Sequence, residues 1–239
     1  MLEKVPIPRG VSLINTGLTP FVQQRTTMHT SRRTFALLVI GALGLLETSG
    51  FAEAETESQR LLRTHATERY NVVVPGFSIR AGGGMTVVNA GIAGVRQTVT
   101  DYGHYSDFMP RFQKSRIVGK SGPNTDVYLQ VAILHGAASV WAVTRFGPPQ
   151  PEGAGERIEG KLEGKGNVDD LRAVWHLTPI DADHTIVKLE LLIVPTLPVP
   201  GSLVTPELEF ASDQAVSATR DRTEARCRAV AQHVDAATN

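Results

Sequence analysis

One cysteine in 239 residues, Cys227, excludes an internal disulfide, so the fold must stand on its core alone. Cys227 lies in a segment predicted to be helical and reads there as an ordinary apolar residue. Aromatic residues make up only 6% of the chain, which gives each Trp and Tyr extra weight. Net charge is also missing, with 24 basic residues against 24 acidic ones and no basic cluster, which excludes nucleic acid and an anionic membrane surface as expected partners. The histidines, at 29, 65, 104, 135, 176, 184 and 233, include no pair four apart and no carboxylate at ligand spacing. No metal and no cofactor is expected.

The longest uncharged apolar run, Leu37 to Leu46, has about ten residues and reaches roughly 15 Å as a helix, half a hydrocarbon core. No stable membrane span is therefore expected in the mature protein. What surrounds the run is charge before it and a small-x-small site, Ala52-Glu53-Ala54, after it, the organisation of an export signal. Arg32 and Arg33, with Ser31 before and Phe35 after, resemble the twin-arginine signal, although Leu37 stands where a lysine is often seen. The general secretory route is the alternative. Either way the export machinery is a transient partner and the mature protein is expected in the periplasm or outside the cell. No cysteine sits at the cleavage point, which argues against lipid anchoring. Met1–Thr27 has no clear periodicity, and Met28 opens a conventional short n-region, so translation is expected to start at Met28.

The expected organisation is an upstream extension at 1–27, a signal at 28–54, a polar tether or frayed helix at 55–68, one domain at 69–232 and a tail at 233–239. Setting aside five basic and three acidic residues in 1–54 leaves 19 against 21, a weakly acidic mature protein. Within the domain, Asn71–Pro75 and Ile79–Arg80 read as short strands, and Gly82-Gly83-Gly84 as a break before Thr86-Val87-Val88. The triple glycine lacks the spacing of a dinucleotide fingerprint. Gly119-Lys120-Ser121 lacks the glycine at position 114 that a phosphate loop needs. Ile92, Val95 and Val99 follow Asn89, a candidate N-cap, at helical spacing, and Tyr102, Tyr105, Phe108 and Met109 continue a helical face until Pro110. That predicts two short helices in tandem.

The period then changes to two. Arg116–Lys120, Asp126–Leu134, Ser139–Phe146, Arg157–Leu162, Leu171–Thr178 and Thr185–Val194 read as an antiparallel meander, with turns between them that include Gly147–Gly155 and Gly164–Asp170. After the proline-rich Pro195–Pro200, Thr205-Pro206 supplies a cap with proline at the first position of one long helix running to about Val230. Its face at 208, 211, 215, 218, 225 and 229 reads Leu-Ala-Ala-Ala-Ala-Ala, small enough to leave space beneath it. The fold class is α+β, a helix grip: a curved antiparallel sheet wrapped around the long C-terminal helix, with two short helices after the first strand.

Asp101-Tyr102-Gly103-His104-Tyr105-Ser106-Asp107-Phe108-Met109-Pro110 resembles the Asp-Tyr-x-x-Tyr-x-x-Phe-x-Pro segment of the START-like (SRPBCC) superfamily, closest to its polyketide cyclase/dehydrase and coenzyme-Q-binding group. Trp175-His176-Leu177-Thr178-Pro179, followed by Asp183-His184-Thr185, matches a second family segment. The resemblance covers roughly Met85 to Val230 and implies the helix-grip fold. For function it implies only a range, since relatives include lipid carriers, ubiquinone-binding proteins and aromatase/cyclases. Independently of the family, Tyr105 and Phe108 share one helical face, Asp101 can cap the second helix through its carboxylate, and Phe108 is the expected rim of a cavity.

Alternation predicts three inward rows: Val127, Leu129, Val131 and Ile133; Leu171, Ala173, Trp175 and Leu177; and Val187, Leu189, Leu191 and Ile193. Trp141 and Val143 fit the same pattern, with Arg145 either on that face or exposed at the strand end, while Tyr128 and His176 point outward. No Ser-His-Asp or Cys-His set can be assembled, and no catalytic residue is assigned; His104 on the mouth helix is the nearest candidate for an acid or base. The expected function is an exported, non-catalytic binding or carrier domain for a hydrophobic small molecule such as a lipid, isoprenoid, quinone or polyketide. A polyketide cyclase or aromatase and an interaction module with a collapsed cavity are the alternatives. A void above about 300 Å³ favours a ligand, a filled interior favours the interaction module, and two inward polar groups within hydrogen-bond reach favour the cyclase.

Overall fold

The computed structural model describes residues 56–133, 136, 138–196 and 199–238. The signal reading, with Arg32, Arg33, Ala52 and Ala54, and the Met28 start lie outside the described residues. The described chain is α+β, with a nine-stranded antiparallel sheet and a long C-terminal helix, the arrangement expected from the sequence. Sheet order is β1 (Glu68–Val72), β2 (Ala81–Val88), β9 (Thr185–Pro195), β8 (Val168–Pro179), β7 (Gly155–Gly166), β5 (Ala138–Phe146), β4 (Asn124–Ile133) and β3 (Phe112–Ser121), with β6 (Gln150–Glu152) paired to β7 off this path. The meander consists of β3 (Phe112–Ser121), β4 (Asn124–Ile133), β5 (Ala138–Phe146), β7 (Gly155–Gly166), β8 (Val168–Pro179) and β9 (Thr185–Pro195). The Gly147–Gly155 turn carries an additional short strand, β6 (Gln150–Glu152), and the expected turn at Gly164–Asp170 shrinks because β7 and β8 run to either side of Asn167.

The first strands correct the sequence reading. They are β1 (Glu68–Val72) and β2 (Ala81–Val88), and the triple glycine lies inside β2, every residue of which is buried. Gly82 and Gly84 face the long helix α4 (Gly201–Thr238) at backbone contact: a Cβ on Gly82 would lie 2.1 Å from the Glu209 amide nitrogen, and one on Gly84 2.6 Å from that of Asp213. Gly83 points to the other face, where the Tyr70 ring fills the space of its missing side chain. These glycines bring helix and sheet together rather than ending a strand. The Ser212 hydroxyl donates to the Gly82 carbonyl at 3.0 Å and fixes that approach.

The segment expected as a tether or a frayed helix forms α1 (Glu57–Thr64), closed at its N-terminus by a Thr56/Gln59 capping box and at its C-terminus by His65 in the left-handed conformation. Leu61 is fully buried in a cluster with Met85, Val87 and Ile186, so the helix is docked on the sheet. Thr56→Ala removes the capping acceptor and is expected to loosen α1 by about 1 kcal/mol. Amide exchange within Glu57–Thr64 should then quicken about fivefold while β8 and β9 exchange as before; unchanged exchange in α1 would show that the box contributes nothing.

After β2 come α2 (Ile92–Val99), a 3-10 turn at Tyr102–His104 and α3 (Tyr105–Phe108), the expected tandem of short helices. The caps differ from expectation. Gly91 is the N-cap of α2, while the Asn89 amide donates to Glu224 on α4. Asp101 makes no side-chain cap, because its carboxylate is taken by His104 at 2.6 Å. Helix α4 starts at Gly201, four residues before Thr205, so Pro206 is inside the helix and the Thr205 hydroxyl accepts from the Arg80 amide instead of capping. The expected small face is also rotated: Ala225 and Ala229 are exposed, and the buried line is Leu208, Ser212, Ala215, Val216, Thr219 and Thr223. The hydroxyls of Thr219 and Thr223 donate back to carbonyls one turn earlier, which lets polar residues occupy a buried helix face. Cys227 is exposed rather than packed as an apolar residue.

Candidate functional site

The concave face of the sheet and the small-residue face of α4 enclose an apolar cavity of about 100 Å³. Three of the predicted rows meet there. Leu129, Val131 and Ile133 from β4, Leu171, Ala173 and Trp175 from β8, and Leu189, Leu191 and Ile193 from β9 all line it. Val127, Leu177 and Val187, which continue those rows, are fully buried in the adjoining core. Ala211 and Ala215 form the helix side, and their single methyl groups leave the space open.

Strand β5 corrects the predicted phase. Val140, Ala142, Thr144 and Phe146 are the buried positions and line the cavity, whereas Val143 is absent from it. Trp141 borders the cavity, yet its indole stacks on the outward Tyr128 at 6.0 Å. Arg145 is on the outer face in an ion pair with Asp126 at 2.7 Å and another with Glu163 at 2.8 Å, and that pairing lowers the Asp126 carboxyl below its ordinary range. His176 likewise faces out, 2.6 Å from Glu152.

One end of the cavity is closed by stacked aromatics. Tyr102 lies flat on Phe146 with ring centroids 4.4 Å apart, and Tyr105 meets Tyr102 edge-on at 5.8 Å. Tyr105 lines the cavity, but its hydroxyl is engaged, donating to the Val99 carbonyl. Burial pushes the Tyr105 hydroxyl well above its usual range, which keeps it neutral. Phe108, the expected rim, is not among the lining residues. It packs edge-on against Tyr105 at 5.9 Å beneath the Arg222 guanidinium, on a separate surface groove. The residues that follow α3, Met109, Pro110, Arg111 and Phe112, line the cavity in its place.

The other end carries two residues that the sequence reading missed. Arg111, in the left-handed region at φ 71°, donates to Glu207 of α4 at 3.0 Å, and its guanidinium lies 4.5 Å from the centroid of the Phe210 ring. Both Arg111 and Glu207 line the cavity. Their side chains are 15% and 25% exposed, so the pair is largely withdrawn from solvent. The pair joins the chain before β3 to the first third of α4 across the cavity mouth.

His104 does not line the cavity. It is exposed, and its bond to the Asp101 carboxylate raises its pKa above the ordinary histidine value. A pKa raised in the folded state stabilises the fold below the unfolded value and loses that contribution as pH rises through the folded one. NMR titration should show His104 titrating above about 6.5 and returning toward that value in Asp101→Asn; equal midpoints in both proteins would remove the pair from the account. Among the described residues no group of three His, Cys, Asp or Glu is placed to hold a metal, and no helix is long and apolar enough to cross a membrane.

A curved antiparallel sheet gripping one long helix over an apolar cavity is the helix-grip fold of START-like proteins. Solved structures similar to this chain carry the same fold. A STAR-related lipid transfer protein from Xanthomonas axonopodis superposes with a TM-score of 0.57 at 18% identity, covering 66% of this chain and 94% of its own. A START superfamily protein from Mycobacterium smegmatis gives 0.52 at 20% identity, covering 59% and 95%. The Zhui aromatase/cyclase from a Streptomyces species gives 0.53 at 16% identity, covering 69% and 98%. No protein-family model matches the chain, and a search of curated proteins finds no match.

Proposed function

We propose that the protein is an exported, non-catalytic carrier for a hydrophobic small molecule, of the lipid, isoprenoid, quinone or polyketide-like kind, held between α4 and the sheet. The observation that carries this reading is the convergence of apolar rows from β4, β8 and β9, with the residues of β5, on one cavity where the ion pair among the described lining residues, Arg111–Glu207, sits at the mouth. Burial of apolar surface supplies the driving force. The signal-like pattern around Arg32, Arg33, Ala52 and Ala54 supports action in the periplasm or outside the cell. A coenzyme-Q-like isoprenoid fits the same chemistry, and so does the lipid cargo named for the Xanthomonas protein.

The cavity, at about 100 Å³, is smaller than the roughly 300–1,000 Å³ of ordinary ligand pockets. Loading therefore requires α4 to part from the Pro110–Phe112 segment, and the Arg111–Glu207 pair is the tie that must break. The small volume also favours the interaction-module reading, in which the interior stays closed. A cyclase gains support from the same pair, since two polar side chains reach each other in the cavity. A guanidinium, however, holds its protons and can only polarise a carbonyl, so the pair lacks a proton shuttle. Native mass spectrometry with organic extraction, applied to protein recovered from its own producing cell, tests the reading. A bound apolar molecule released by solvent is the expected result; repeated recovery of empty protein would overturn it.

A further inference from the structure

We infer that the guest of this cavity carries a neutral hydroxyl or carbonyl oxygen at its leading end, and that Thr144 receives it; the inference rests on the carrier reading. Thr144 is fully buried, lines the cavity, and its Oγ1 has no hydrogen-bond partner. Two other buried side-chain polar atoms among the described residues share that condition, His176 Nε2 and Gln214 Oε1, and neither belongs to a lining residue. Other polar side chains around the void are engaged: the Tyr105 hydroxyl donates to the Val99 carbonyl, and Arg111 pairs with Glu207. A buried hydroxyl without a partner is costly, and one that faces a cavity is satisfied when a guest brings a complementary group to it.

Its position gives the direction of approach. The Ala132 amide donates to the Arg111 carbonyl at 2.9 Å, and Ala132 is paired with Ser139, which puts the mouth at that level of β5. Thr144 is five residues further along the strand, about 17 Å at strand rise. Exposure falls along the same path, from the half-buried Ile133 and Ser139 to the buried Thr144 and Phe146, where the Tyr102 ring closes the floor. A molecule entering at Arg111 thus meets Thr144 with its leading end. Because a threonine hydroxyl both donates and accepts, it suits an alcohol or a carbonyl. A carboxylate is disfavoured there, since no cation among the described lining residues reaches that end and an unpaired buried charge is far costlier than a neutral oxygen.

Displacement of the neutral fluorophore phenylnaphthylamine by octanol, octanone and nonane, measured on the full mature protein and on Thr144→Val, tests the assignment. In the Val variant octanol and octanone should each bind about tenfold more weakly, the size of one buried hydrogen bond, while nonane stays within about twofold. Thr144→Ser, which keeps the hydroxyl, should keep the preference. Thr144→Ala serves as the deletion if the Val protein does not fold. Equal changes for nonane and octanol, or no change for either, would overturn the role of Thr144 while leaving the carrier reading standing. Failure of the unmodified protein to bind the fluorophore or any of the three competitors would overturn both.

Discussion

Gly82→Ala is expected to destabilise the domain by about 3 kcal/mol or more, a fall in Tm of about 6–12 °C for a domain of this size. The added methyl would stand 2.1 Å from the Glu209 amide nitrogen and 2.3 Å from the Leu208 carbonyl carbon. Both are backbone atoms of α4, and a helix cannot rotate two atoms out of the way as a flexible side chain can. Either α4 lifts off β2, losing the Ser212 bond to the Gly82 carbonyl and the burial of Leu208, or β2 bends away from β9. Gly103→Ala is the matching control. Nothing lies within 4 Å of a Cβ there, and its backbone is not in the left-handed region, so the change should stay within about 0.5 kcal/mol. Urea unfolding of the two variants beside the unmodified protein decides the matter. Equal midpoints for Gly82→Ala and the unmodified protein would mean that α4 is not seated on β2.

That prediction concerns a feature the sequence concealed. A run of glycines signals a turn and a close backbone approach with the same letters, and only the partner helix distinguishes them. The meander is legible because apolar and β-branched residues alternate from Arg116 onward, and the rows on β4, β8 and β9, strands of ten to twelve residues, keep their phase. Strand β5 reversed it for a physical reason. Trp141 and Val143 look like the inward set, but the outer face offers Tyr128 for Trp141 to stack on, while the cavity side needs the smaller Ala142 and Thr144. The alternative series Val140, Ala142, Thr144, Phe146 was equally present in the letters, and Phe146 as its last member was the signal that would have found it. Thr205-Pro206 reads as the start of α4 because proline is at home in a first turn, yet Pro206 stands at the sixth position of the helix. Arg111 and Glu207 had no local signature at all: they come together across nearly a hundred residues of sequence, and each alone reads as a surface charge.

Ala211→Leu should weaken binding of an apolar guest more than tenfold while raising the stability of the empty protein by about 1 kcal/mol, or about 2–4 °C in Tm. Ala211 is on the helix wall of the cavity and is itself half-buried. Three added carbons at that point extend into space lined by Leu, Val and Ile side chains and gain dispersion contacts that the void denies them. A cavity that persists against that gain is one the sequence keeps open, since a larger residue at 211 would be the simplest way to close it. Opposite signs for binding and stability separate the readings of this fold. If the interior is merely imperfect packing, Ala211→Leu stabilises and phenylnaphthylamine binding is unaffected, because the probe was never in the cavity. If the interior is already full, the substitution overpacks and costs about 1–3 kcal/mol. Only a guest-holding cavity predicts a more stable protein that has lost its ligand, and thermal melts with fluorophore titration on one variant distinguish the three outcomes.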